Sequence, residues 1–133
     1  MATQEKRIKR TINDLTVNFQ DFERIYNNSL VFYFRENEGC KENSFILLLI
    51  NELKERISRG EFIKNLTKEE LSKIVKKELK STNWVEEPQY IERQVEIKRC
   101  RATKSLKIEE LILVKLQIKL DRLQKELDFS APK

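Results

Sequence analysis

PQYIERQVEIKRCRATKSLKIEELILVKLQIKLDRLQKELDF, residues 88–129, contains no glycine and no proline after Pro88. Leucines recur at Leu106, Leu113, Leu120 and Leu127, and Leu116 and Leu123 fill the intervening positions. This 3-4 spacing keeps one side of a helix facing a partner. The same stripe continues upstream through Ala102, Val95 and Ile91. Read as one helix, the stretch is about 63 Å long at about 1.5 Å per residue, roughly twice the width of a small domain. Pro88 suits its first helical position, where the missing N–H costs nothing. The stretch is expected to act as a spine or an oligomerisation rod.

Its apolar face is not uniform. Between Ile108 and Ile118, the residues Ile108, Leu111, Ile112, Val114 and Ile118 add to the leucines. That face is wider than one partner helix can cover, so this segment is expected to pack into a bundle with earlier helices. From Leu120 to Leu127 the face narrows to the leucines, with Asp121, Arg122, Gln124, Lys125 and Glu126 around them. Leu113, Leu116, Leu120, Leu123 and Leu127 are therefore the candidate partner-binding residues. Arg99 and Glu109 stand in the seam. A buried unpaired charge is expensive, so both are expected to be exposed or matched by charges on a partner.

Upstream of the spine, Thr67-Lys68-Glu69-Glu70 reads as a capping box. The helix it opens carries Leu71, Ile74, Val75 and Leu79, and stops at Ser81-Thr82-Asn83. Trp84 follows in the connector, read as a pin onto the core or as a further partner-binding anchor. An earlier helix starts at Asn43 or Ser44 and carries the apolar run Phe45 to Ile50, then Leu53 and Ile57. Arg56 and Arg59 suit its C-terminal end and Gly60 its C′ position, which leaves 61–66 as a connector. Gly39 marks a loop over 36–42. Before that loop, Leu15, Phe19, Phe22, Tyr26, Leu30 and Tyr33 recur at helical spacing. The same stretch also alternates at Leu15, Val17, Phe19 and at Leu30, Phe32, Phe34, with Asn27-Asn28-Ser29 as a possible turn between two strands. Residues 1–10 are polar and read as a flexible basic arm.

The pattern predicts an all-α fold, a small bundle of about four helices with a long coiled-coil-like C-terminal helix. The alternative is α+β, with an N-terminal β-hairpin at 15–34. The expected boundaries are an arm over 1–10, a single domain over 11–129 and a tail over 130–133. The 133 residues suit one core rather than two. With only two glycines and two prolines, the chain lacks the turn residues that a sandwich or barrel needs.

Composition bounds function. Charged residues make up 37% and hydrophobic residues 39%, and the net charge of +5 permits an anionic partner. There is no histidine, no glycine-rich phosphate loop and no nucleophile motif, so the usual acid–base equipment is missing and no enzyme activity, cofactor or metal is expected. Cys40 and Cys100 are read as free thiols of a reducing compartment. No apolar leader is visible, and the longest apolar run is far too short to span a bilayer. An intracellular protein, cytoplasmic or nuclear, is expected.

The leading expectation is a non-catalytic interaction module, an adaptor, assembly subunit or small inhibitor. It would bind another protein or self-associate as a homodimer through the seam of the C-terminal helix. The alternative is a nucleic-acid-binding regulator using Lys6, Arg7, Lys9 and Arg10 of the arm and Lys98, Arg99, Arg101, Lys104 and Lys107 of the helix. A basic helix followed by a leucine zipper is disfavoured. The segment 93–107 has no asparagine to read base edges, and Glu109, Glu110 and Gln117 interrupt the first heptads.

Overall fold

A computed structural model describes the backbone over residues 2–80 and 87–130, with side chains over 4–80 and 87–126. Five α-helices are present among the described residues: α1 (Ala2–Val17), α2 (Phe22–Glu36), α3 (Glu42–Asn65), α4 (Lys68–Lys80) and α5 (Pro88–Ser130). A short 3-10 turn, Phe19–Asp21, joins α1 to α2. No strand occurs among these residues, so the hairpin alternative for 15–34 is overturned. The proposed turn Asn27-Asn28-Ser29 lies inside α2.

The uninterrupted helix over 15–34 is also corrected. The chain leaves helical geometry at Asn18 (φ −124°, ψ 57°) and reverses direction. Arg7, in the first half of α1, reaches Glu36, the last residue of α2, so the two helices run antiparallel. Residues 2–10, where polar composition suggested an arm, are the first half of α1, and Ile8 there is buried. Gly60 does not end a helix, because α3 continues to Asn65 and takes in most of the expected connector. Gly39 does sit in the loop after α2, at φ 83°, a left-handed conformation that costs glycine little. Pro88 opens α5, which is unbroken through Thr103-Lys104-Ser105.

The chain divides into two compact units, residues 1–56 with 108–133, and residues 57–107. In the first unit, Ile8, Ile12 and Leu15 of α1 meet Phe22, Ile25, Tyr26 and Tyr33 of α2. Phe45, Ile46, Leu49, Ile50 and Leu53 of α3 and Ile112 and Leu116 of α5 complete this core. Four rings thread it. Phe22 stacks on Tyr26 at 6.1 Å, and Phe45 meets Tyr26 at 5.6 Å and Tyr33 at 5.0 Å. Such ring contacts add to the area they bury. The Tyr26 hydroxyl donates to Glu42 at 3.2 Å, and burial, with the Glu42 charge second, pushes its phenol well above the usual tyrosine range.

One polar network is embedded at the edge of that core. Arg56 Nε donates to Glu52 at 3.1 Å, Nη1 to Asn13 at 2.6 Å and Nη2 to the Lys9 carbonyl at 3.1 Å. A fork of fixed donors suits three acceptors at once, and here it ties α3 to α1.

The second unit is smaller. Leu71 and Val75 of α4 pack with Ile91 and Val95 of α5, and Ile63, Leu66 and Leu79 lie against them. Each helix supplies its pair at i and i+4, one face of a helix. Thr67 and Glu70 form the expected capping box. The Glu70 amide donates to Thr67 Oγ1 at 3.2 Å, and the Thr67 amide donates to Glu70 Oε1 at 3.1 Å. The Thr67 amide, and after it the Thr67 hydroxyl at 3.0 Å, donate to the Glu70 carboxyl and hold it below its usual range. Gly60 makes room for Leu106, whose Cδ2 would lie 3.0 Å from any Cβ placed there.

Candidate functional site

Within the first unit, α5 presents two opposite apolar faces, and only one is spent on the core. Ile112 and Leu116 are fully buried, while Leu113, Leu120 and Leu123 are half-buried against the same core. The leucines expected to meet a partner are therefore already occupied by the chain's own α1, α2 and α3. Of the remaining candidates, Trp84 and the side chain of Leu127 lie outside the described residues.

The residues that face water are those expected inside the bundle. Leu111, Val114 and Ile118 are 53%, 52% and 48% exposed. Their spacing of three and then four residues puts them on one line of the helix. At about 100° per residue, that line is roughly opposite Leu116 and Leu123. Glu110 and Gln117 border it on one side, Lys115 and Arg122 on the other, and all four are exposed. The Lys115 ammonium is held 5.1 Å from the Phe19 ring centre and 5.0 Å from that of Phe22, a cation–π arrangement that fixes charge at the stripe's edge. The stripe ends at Asp121, which pairs with Lys125 at 3.3 Å. Large apolar side chains aligned in the open are worth noting, because single exposed ones are ordinary.

The basic residues divide in a similar way. Arg99 donates to the Leu66 carbonyl at 2.6 Å, satisfying one of the acceptors orphaned at the end of α3. It neither stands exposed nor awaits a partner's charge, as the seam had suggested. Glu109 likewise is buried rather than exposed. Lys98 pairs with Glu78 at 2.7 Å. Arg101, Lys104 and Lys107 are exposed on α5 of the second unit.

In the first unit, Lys6, Lys9 and Arg10 are exposed, and Lys9 pairs with Glu5 at 3.5 Å. Arg7 is clamped by both Glu36 oxygens and lies 4.9 Å from the Phe32 ring centre. A groove of about 480 Å³ runs between α1 and α2, lined by Arg7, Arg10, Arg24, Asp14 and Phe32 among others. Two of its arginines are already matched, Arg7 by Glu36 and Arg24 by Asp21 at 2.9 Å. With Asp14 beside them, the groove holds little excess positive charge.

Among the described residues, no group of three or more histidine, cysteine, aspartate or glutamate side chains is placed to hold a metal ion. No helix there is long and apolar enough to cross a membrane. Cys40 and Cys100 are free and exposed. No protein-family model, curated protein or solved structure matches this chain.

Sequence reasoning noted Leu111, Val114 and Ile118 but assigned them to the core. Periodicity could not separate them, because apolar residues cover most of the helix between 108 and 118. The flanking charges carried the missing signal. Glu110 and Lys115 straddle Leu111 and Val114, as residues beside an exposed stripe do.

Proposed function

We propose that this chain is a non-catalytic helical interaction module that docks another polypeptide on the Leu111–Val114–Ile118 stripe of α5. The observation that carries the reading is the exposure of three aligned aliphatic side chains on a helix whose opposite face is already buried. A docked apolar helix would remove these side chains from water, each buried CH₂ contributing about 0.8 kcal/mol. The charges on either side would fix its orientation, since rim charges set specificity and approach more than strength.

The test compares the wild-type chain with a Val114→Glu, Ile118→Glu double variant, each used as bait in extract of the cells that make it. Loss of a bound protein from the variant, with its circular dichroism and melting unchanged, supports the reading. Equal retention by both refutes it.

A second reading, sequence-independent contact with nucleic-acid phosphates, is supported by Arg101, Lys104 and Lys107. These three are exposed with no carboxylate pairing among the described residues. Purification at low salt with absorbance at 260 nm tests it. Nucleic acid that is released at high salt and absent from an Arg101→Glu, Lys104→Glu variant would favour this reading.

A further inference from the structure

We infer that the partner on this stripe is a second copy of the same chain, with its α5 parallel and in register; this rests on the docking face proposed above. The argument is charge self-complementarity. With Leu111, Val114 and Ile118 as the a, d and a positions of a heptad, Glu110 and Gln117 are g positions, and Lys115 and Arg122 are e positions. In a parallel pair each g residue faces the e residue five positions on in the other chain. Glu110 then meets Lys115 of the other copy, twice by symmetry, and Gln117 meets Arg122 as a hydrogen-bond pair. Reversing one helix would bring g against g and e against e, placing Glu110 beside Glu110 and Lys115 beside Lys115. Like charges so placed repel, so the pattern selects one orientation.

Two observations on the monomer support this. All four flanking side chains are exposed, and Glu110 has no ion-pair partner among the described residues. Lys115 flanks the stripe at its e position and makes no ion pair among the described residues, its ammonium lying 5.1 Å and 5.0 Å from the ring centres of Phe19 and Phe22. The contact is short. Lys107 occupies the d position before the stripe and Asp121 the one after it, the latter paired with its own Lys125. In register each faces its own counterpart, so only three apolar layers form, and the association belongs to the weak, transient class.

The experiment is sedimentation equilibrium of the full chain at concentrations up to about 1 mM, a range that captures millimolar dissociation constants. Wild type should associate reversibly. Glu110→Lys places like charges opposite each other and should weaken association about tenfold, as expected from losing two exposed pairs. Lys115→Glu should do the same, and an equimolar mixture of the two variants should associate again.

Orientation is read by disulfide crosslinking in a Cys40→Ser, Cys100→Ser background. Leu111→Cys alone should crosslink to itself. A chain that stays monomeric throughout, or one that crosslinks only when Leu111→Cys is mixed with Val114→Cys, the a and d positions that face each other in an antiparallel pair, overturns the inference. Should such a monomer still lose a different protein through Val114→Glu, Ile118→Glu, the docking face would stand and only its occupant would change.

Discussion

Replacing Leu116 by alanine separates the two faces of α5 most sharply when it is paired with Ile118→Ala two residues away. Leu116 is fully buried in the core with Ile112, and Ile118 is 48% exposed. Deleting a buried leucine side chain costs its transfer free energy and leaves a cavity, about 3–5 kcal/mol in rigid cores. A substitution on an exposed face usually changes stability by less than about 0.5 kcal/mol, and here alanine's helix propensity offsets part of the lost contact. The expected difference between the variants is about 3 kcal/mol. That is a large fraction of the roughly 5–15 kcal/mol that holds a domain together. At about 4 °C per kcal/mol for a chain of this size, Leu116→Ala should melt roughly 10–20 °C below wild type, and Ile118→Ala within about 2 °C of it. Urea unfolding followed by circular dichroism at 222 nm measures both. The midpoint should fall for Leu116→Ala without a change in slope, which marks a loss of stability rather than of compactness. Equal losses for the two variants, or a loss below about 1 kcal/mol for Leu116→Ala, would refute the assignment of faces.

Two further outcomes test the supporting structure. Arg56→Ala removes the donors to Glu52, Asn13 and the Lys9 carbonyl and should cost about 1–3 kcal/mol. Arg56→Lys should recover only part of this, because an ammonium cannot reproduce the fork; both are read by urea unfolding. Acid should also destabilise the fold. The carboxyls of Glu36, bonded to Arg7, and Glu70, bonded to Thr67, are held below their usual range. Unfolding restores the ordinary value of about 4.3, so the unfolded chain takes up more protons as pH falls. The contribution is fully present above that value and is lost as pH drops through the lower folded values. Melting temperature between pH 6 and 3 should fall, less steeply for Glu36→Gln, Glu70→Gln; identical slopes would remove these two groups as the cause.

The helices were legible wherever a local signal and a periodic one agreed. The capping box at Thr67 placed the start of α4, and Pro88 with the glycine-free run behind it placed α5. The start of α1 was not legible, because Lys6, Arg7, Lys9 and Arg10 hide a single buried Ile8 among charges. Gly60 misled for a similar reason. It reads as a helix end, yet α3 passes through it, and its missing side chain leaves room for Leu106 from far along the sequence. The break between α1 and α2 was hidden in another way. Leu15, Phe19, Phe22 and Tyr26 keep helical spacing across it, since both helices turn their apolar faces to one core. Only Asn18 and Asp21, residues at home in turns, mark where the chain reverses.

By itself the sequence determined that this chain is helical and that one long helix runs from Pro88 onward. These follow from composition and from spacing along one helix, which are local properties. Which side of the long helix is inside was decided only by the tertiary structure. Around residues 108–118 the helix is apolar on nearly every side, so periodicity leaves the choice open. The aromatic residues of α2 and α3 take Ile112 and Leu116, and that choice leaves Leu111, Val114 and Ile118 in water.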